Sequence, residues 1–139
     1  MESGAIPNDQ ISASSMWDNN HAPSQARLNF QETRLKAGSW SAKTNDGNQW
    51  LRIDLGRPGK IVTRVATQGR NYYRWWPHGP HNQWVTKYTL QYSEDCVNFH
   101  DYREGQRNTV QVISKEFILR KTRLTKASFL WLLITARTI

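Results

Sequence analysis

The sequence predicts an all-β protein, an antiparallel β-sandwich or jelly-roll barrel, and three stretches carry that prediction. In Asn48-Gln49-Trp50-Leu51-Arg52-Ile53-Asp54-Leu55-Gly56, Leu51, Ile53 and Leu55 point one way and Trp50, Arg52 and Asp54 the other. That is the period of two of a half-buried strand. A second strand pattern, Val62-Thr63-Arg64-Val65-Ala66-Thr67-Gln68-Gly69-Arg70, follows a Pro58-Gly59 turn signal. In the third, residues 85–93, Tyr88, Leu90 and Tyr92 alternate with Lys87, Thr89 and Gln91. Short strands separated by turn signals are the mark of sandwiches and barrels.

The remaining elements follow in chain order. Residues 1–47 are rich in Ser, Asn, Gly and Pro and show little helical periodicity, so they read as short strands and long surface loops. Residues 10–15 are the first strand. The loop Met16-Trp17-Asp18-Asn19-Asn20-His21-Ala22-Pro23 comes next, then Ala26-Arg27-Leu28-Asn29 and Gly38-Ser39-Trp40. Strands are expected at 50–55, 61–68 and 85–93, with weaker ones at 97–102 and 109–113. Asp54 is expected to pair with Arg52 or Arg64.

Length and composition bound the function classes. The 139 residues suit one domain, and seven Trp and five Tyr supply large apolar area per residue. The longest apolar run, Phe129-Leu130-Trp131-Leu132-Leu133-Ile134, is far short of the roughly 20 residues that span a bilayer. Met1-Glu2-Ser3-Gly4 has neither the basic start nor the apolar core of an export signal. The net charge of +8 is uneven: 13 basic residues oppose 10 acidic ones up to Val112, and 6 oppose 1 from Ile113 onward. The basic excess lies in the tail and the aromatic cluster at residues 72–76 lies in a loop, which speaks against nucleic-acid binding. Ser, His and Asp are present, but none stands in a nucleophile-elbow setting, so no enzyme activity, catalytic residue or cofactor is expected.

The strand blocks, together with Met1-Glu2-Ser3-Gly4, Gln10-Ile11-Ser12-Ala13-Ser14-Ser15 and Gln83-Trp84-Val85-Thr86-Lys87-Tyr88, resemble the discoidin family, the coagulation factor 5/8 type C domain. The resemblance covers about residues 1–112 and is cut short at both ends. It implies a galactose-binding-domain-like sandwich with Trp40, Trp50 and Trp84 in its core, incomplete at its C-terminus and followed by a divergent basic and apolar tail at 113–139. Where the family continues into two core strands, this chain reads Ser114-Lys115-Glu116-Phe117-Ile118-Leu119-Arg120. Residues 129–134 are the candidate replacement strand. The resemblance also implies a disulfide joining the domain's ends, but neither family cysteine is present. The single cysteine, Cys96, stands where the family commonly has a turn glycine, and reads as a free thiol.

The resemblance further implies that ligand is met by loops at one end of the barrel. The first of these maps to residues 16–23, with Trp17 at its tip, and the second to about 29–39, with Arg34 and Lys36. The third, Asn71-Tyr72-Tyr73-Arg74-Trp75-Trp76-Pro77-His78-Gly79-Pro80-His81, is longer than expected and dense in aromatics. Pro and Gly exclude a helix or central strand there, so its rings are available to stack on sugars, enter a membrane interface or anchor a partner. Tyr72 and Trp75 folding back as a lid is the alternative. The expected ligand-binding residues are Trp17, Tyr73, Arg74, Trp75 and Trp76. His78 and His81 lack a nearby Cys or carboxylate to complete a tetrahedral set, so no metal site is expected, and His21 and His100 read as surface groups. The resemblance implies an extracellular adhesion module for cell-surface glycans or proteins. The alternatives are a module for anionic phospholipid headgroups, and a non-functional or mispredicted fragment of a larger secreted multidomain protein.

Overall fold

The alternation at Leu51 and Ile53 builds the strand that organises the molecule. In the computed structural model this strand, β2, spans Gln49–Asp54; Gln49 and Leu51 are buried, and Trp50, Arg52, Ile53 and Asp54 are half-buried. The structure describes residues 1–56, 60–62, 64–70, 83–102, 111–112, 116–120 and 129–134, with the backbone alone in the last three stretches and at Arg64. Strand β1 (Ile11–Ala13) pairs antiparallel with β2, placing Ile11 opposite Ile53 and Ala13 opposite Leu51. The further strands are β3 (Arg64–Gln68), β4 (Lys87–Ser93), β5 (His100–Asp101), β6 (Gln111–Val112), β7 (Glu116–Arg120) and β8 (Phe129–Ile134).

One sheet runs β1-β2-β8-β4-β5, with β6 also beside β4, and a second pairs β3 with β7. Every pairing is antiparallel. The strands expected at 10–15, 50–55, 61–68, 85–93, 97–102 and 109–113 all appear, several of them shortened. The segment after 112 contains β7 and β8. Its β8 lies between β2 and β4, so that Leu132 stands opposite both Leu51 and Leu90, and its β7 runs beside β3. Residues 129–134, the candidate replacement strand, thus form a middle strand of the larger sheet. Phe129–Ile134 is a continuous apolar run, the composition of a strand covered on both faces rather than of an alternating one.

The core lies on the inner face of β4. Tyr88 and Leu90 are buried there, with Ile53, Leu55, Val62, Val65, Val85, Tyr92 and Tyr102 packed around them. The three tryptophans expected in this core are only half-buried. Trp50 follows the strand alternation onto the outer face, where the Arg52 guanidinium lies 5.8 Å from its ring centre. Trp40 spends its indole N–H on the Ser15 carbonyl, 2.9 Å away. Asp54 does not pair with Arg52. Its carboxylate accepts the Gly56 N–H at 2.7 Å, closing a turn in which Gly56 adopts φ +81°. Arg52 donates instead to Ser12 Oγ and to Cys96 Sγ. Cys96 itself sits in the β4–β5 turn at φ +63°, a left-handed conformation that favours glycine.

Burial sets which substitutions the fold tolerates. Leu90→Ala removes a side chain that is 5% exposed at the centre of the core and should cost about 2–5 kcal/mol in chemical denaturation. Val97→Ala, at a residue 77% exposed, should fall within about 0.5 kcal/mol of the unaltered protein.

Candidate functional site

Gln49 fixes the loops at one end of the larger sheet. Its side chain is 8% exposed, and its carbonyl oxygen accepts from both Ser14 Oγ and Ser15 Oγ at 2.7 Å. Its amide nitrogen donates to Thr44 Oγ1 and Asp46 Oδ1 at 2.8 Å. A buried amide with both ends satisfied in this way rigidifies what it touches. Here it ties the end of β2 to the start of the first loop and to the segment around 44–46.

The first loop is braced again further along. The Trp17 N–H donates to the Ser41 carbonyl at 2.8 Å. Asp18 caps a 3-10 turn at Asn19–His21 by accepting the Asn20 N–H. The same carboxylate oxygen meets His21 Nδ1 at 2.7 Å. His21, expected as a surface group, is therefore engaged and only 18% exposed, whereas His100 is exposed as expected. The hydrogen bond from His21, together with those from the backbone, holds the Asp18 carboxyl below its ordinary value of 3.8. With its backbone fixed on both sides, the loop presents Trp17 at 62% exposure and Met16 at 39%.

The second loop is a tight turn. Thr33 and Lys36 form a bridge, with the Thr33 N–H on the Lys36 carbonyl at 2.8 Å, and Arg34 and Leu35 make up the tip. Leu35 is 75% exposed, and Arg34 and Lys36 on either side of it are exposed as well. The Ala37 N–H donates to the Asn20 carbonyl at 2.7 Å, which ties this loop to the first. Sequence reasoning picked out Arg34, Lys36 and Trp17 but passed over Leu35 and Met16. The signal available for Leu35 was an apolar residue standing alone between two cations in a loop.

The third loop is described only at its base. The Arg70 N–H donates to the Gln83 carbonyl at 2.9 Å, and the Arg70 guanidinium reaches Gln83 Oε1 at 3.1 Å. The same guanidinium lies 3.5 Å from Glu32 in the second loop, both side chains being about nine-tenths buried. Arg70 thus joins the base of the third loop to the second. Residues 71–82, with the expected site residues Tyr73, Arg74, Trp75 and Trp76 and the pair His78 and His81, lie outside the described residues.

Comparison with known proteins places this arrangement in a family. The F5/8 type C domain family matches residues 10–131. Coagulation factor V from Sus scrofa is 42% identical over 108 residues, which cover 75% of this chain and 4% of that protein. The chain therefore spans a small part of the curated relative it matches. Among solved structures, wild-type discoidin II from Dictyostelium discoideum superimposes with a TM-score of 0.70 at 23% identity, over 91% of this chain and 48% of that one. The Clostridium perfringens module CpGH89CBM32-5, in complex with GalNAc-β-1,3-galactose, gives a TM-score of 0.62 at 20% identity, over 95% and 88%.

The bracing of the first loop should depend on pH. Because the folded-state pKa of Asp18 is depressed, its contribution is present above the ordinary carboxylate range and is lost as the pH falls below it. His21→Ala should move the Asp18 carboxyl back up towards its ordinary value, read by carboxyl NMR titration; an unmoved titration would rule out His21 as the cause. With its matched span and its sandwich topology both established, the chain belongs to the F5/8 type C, or discoidin, domain family.

Proposed function

We propose that this domain is an extracellular binding module that docks its loop end on anionic phospholipid surfaces and carries out no reaction of its own. The observation that carries the reading is the pair of linked loop tips, which hold Trp17, Met16 and Leu35 out in solvent with Arg34 and Lys36 on either side of Leu35. Exposed apolar side chains gathered at one end of a rigid scaffold mark an interaction surface. Trp and Leu gain by entering the headgroup and acyl boundary, while Arg and Lys are drawn to anionic headgroups. No helix of the described residues is long and apolar enough to cross a membrane. The likeness to a coagulation factor supports the extracellular placement.

A second reading, glycan recognition in adhesion, is favoured by the sugar bound to the structurally similar Clostridium perfringens module. In it Trp17 and the aromatics of the third loop, Tyr73, Trp75 and Trp76, stack on sugar faces beside Arg74. Cell-surface proteins are partners of the same loop end in this reading.

Sedimentation with phosphatidylcholine vesicles, with and without phosphatidylserine and at low and high salt, tests the lipid reading. Binding should require phosphatidylserine and weaken as salt rises. Trp17→Ala and Leu35→Ala should each weaken it by roughly 10- to 100-fold, the loss of one buried apolar side chain. Equal binding to phosphatidylcholine alone, or insensitivity to both substitutions, would contradict it. The glycan reading instead predicts glycan-array binding that survives Leu35→Ala and disappears when Trp75→Ala is combined with Trp76→Ala.

A further inference from the structure

Between the two sheets lies a partly open pocket of about 440 Å³, with walls that include Leu51, Ile53, Val65 and Leu90. Protein interiors are close-packed, and a void of this size deprives its lining of contacts on one side. Three polar atoms among the lining residues also lack partners: Gln25 Oε1, Thr67 Oγ1 and the Tyr88 hydroxyl are buried without a hydrogen bond. Tyr88 is fully buried and Gln25 is 3% exposed. Burial raises the pKa of the Tyr88 phenol, and the Thr67 hydroxyl beside it offsets only part of that rise. The two hydroxyls lie close enough to interact, yet neither makes a hydrogen bond of good geometry.

Water fits this space poorly. An ordered water needs about two to four polar partners, and three orphan atoms can hold only about one or two waters in a pocket whose walls are mostly apolar. The combination suits a different occupant. We infer that the cavity is a binding site for a small amphiphile with an apolar body and a single hydroxyl head, about the size of a medium-chain alcohol. A volume of this size lies within the common range for small-molecule sites. The apolar body fills the volume against Leu51, Ile53, Val65 and Leu90. The hydroxyl can both donate, to Gln25 Oε1, and accept, from Thr67 or Tyr88, which is the double role the orphan atoms call for.

The probe is 1-octanol, added to the intact chain and followed by methyl NMR at Leu51, Ile53, Val65 and Leu90 and by thermal unfolding. Saturable methyl shifts and a raised Tm are expected. Thr67→Val and Tyr88→Phe should each weaken the response by about fivefold, the scale of one hydrogen bond. Neither should destabilise the ligand-free protein, since each removes a polar group that has no partner there. Trp17→Ala should leave the octanol response unchanged, which separates this site from the lipid-docking loops. Shifts that fail to saturate, a response indifferent to both cavity variants, or a loss of ligand-free stability in either variant would overturn the inference.

Discussion

The pairing of β8 between β2 and β4 is the constraint on which the rest of the molecule depends. Six residues of β8 are in register with β2 on one side and with β4 on the other. Take that strand away, and β2 and β4 become separate edges with unpaired backbone groups. The core on β4 and the loops that depart from β2 would then have no common frame. Leu51 and Leu90 belong to one apolar interior because their strands are held at a fixed separation by a third.

On that frame, polar contacts set the loops. Gln49 sits at the end of β2 and satisfies all four of its hydrogen-bonding neighbours, Ser14, Ser15, Thr44 and Asp46. Arg70 does the same work at the base of the third loop and links it to Glu32 in the second. Asp18 and His21 complete the first loop. Gln49, Arg70 and His21 are partly or largely buried, so these loops are held from within while Trp17 and Leu35 remain outside. Leaving such side chains in water is unfavourable for an isolated domain and becomes favourable on contact with an apolar or interfacial surface. The binding reading follows from that imbalance.

Sequence made the scaffold legible wherever one face of a strand is buried. β2 and β4 alternate cleanly, and the turn at Asp54 and Gly56 falls where the alternation stops. β8 was harder to assign, because Phe129–Ile134 is apolar throughout and a periodicity argument has nothing to grip. β7 was missed because Glu116–Arg120 was taken with the basic tail. Trp50 shows how a residue type can mislead. Tryptophan suggests a core, yet its place in the alternation puts it outside, beside Arg52. At the candidate site, Trp17 was legible from its loop context and Leu35 was not. A lone leucine acquires meaning only when a tight turn is seen to lift it into solvent between two cations.

Hydrogen–deuterium exchange on the intact chain tests the central pairing most directly. A strand hydrogen-bonded on both sides opens only with the sheet itself. The amides of residues 129–134 should therefore be protected to the same degree as those of Leu51 and Leu90. Exchange of 129–134 at the rate of free peptide, with β2 and β4 still protected, would show that the sheet forms without its middle strand and would contradict the account.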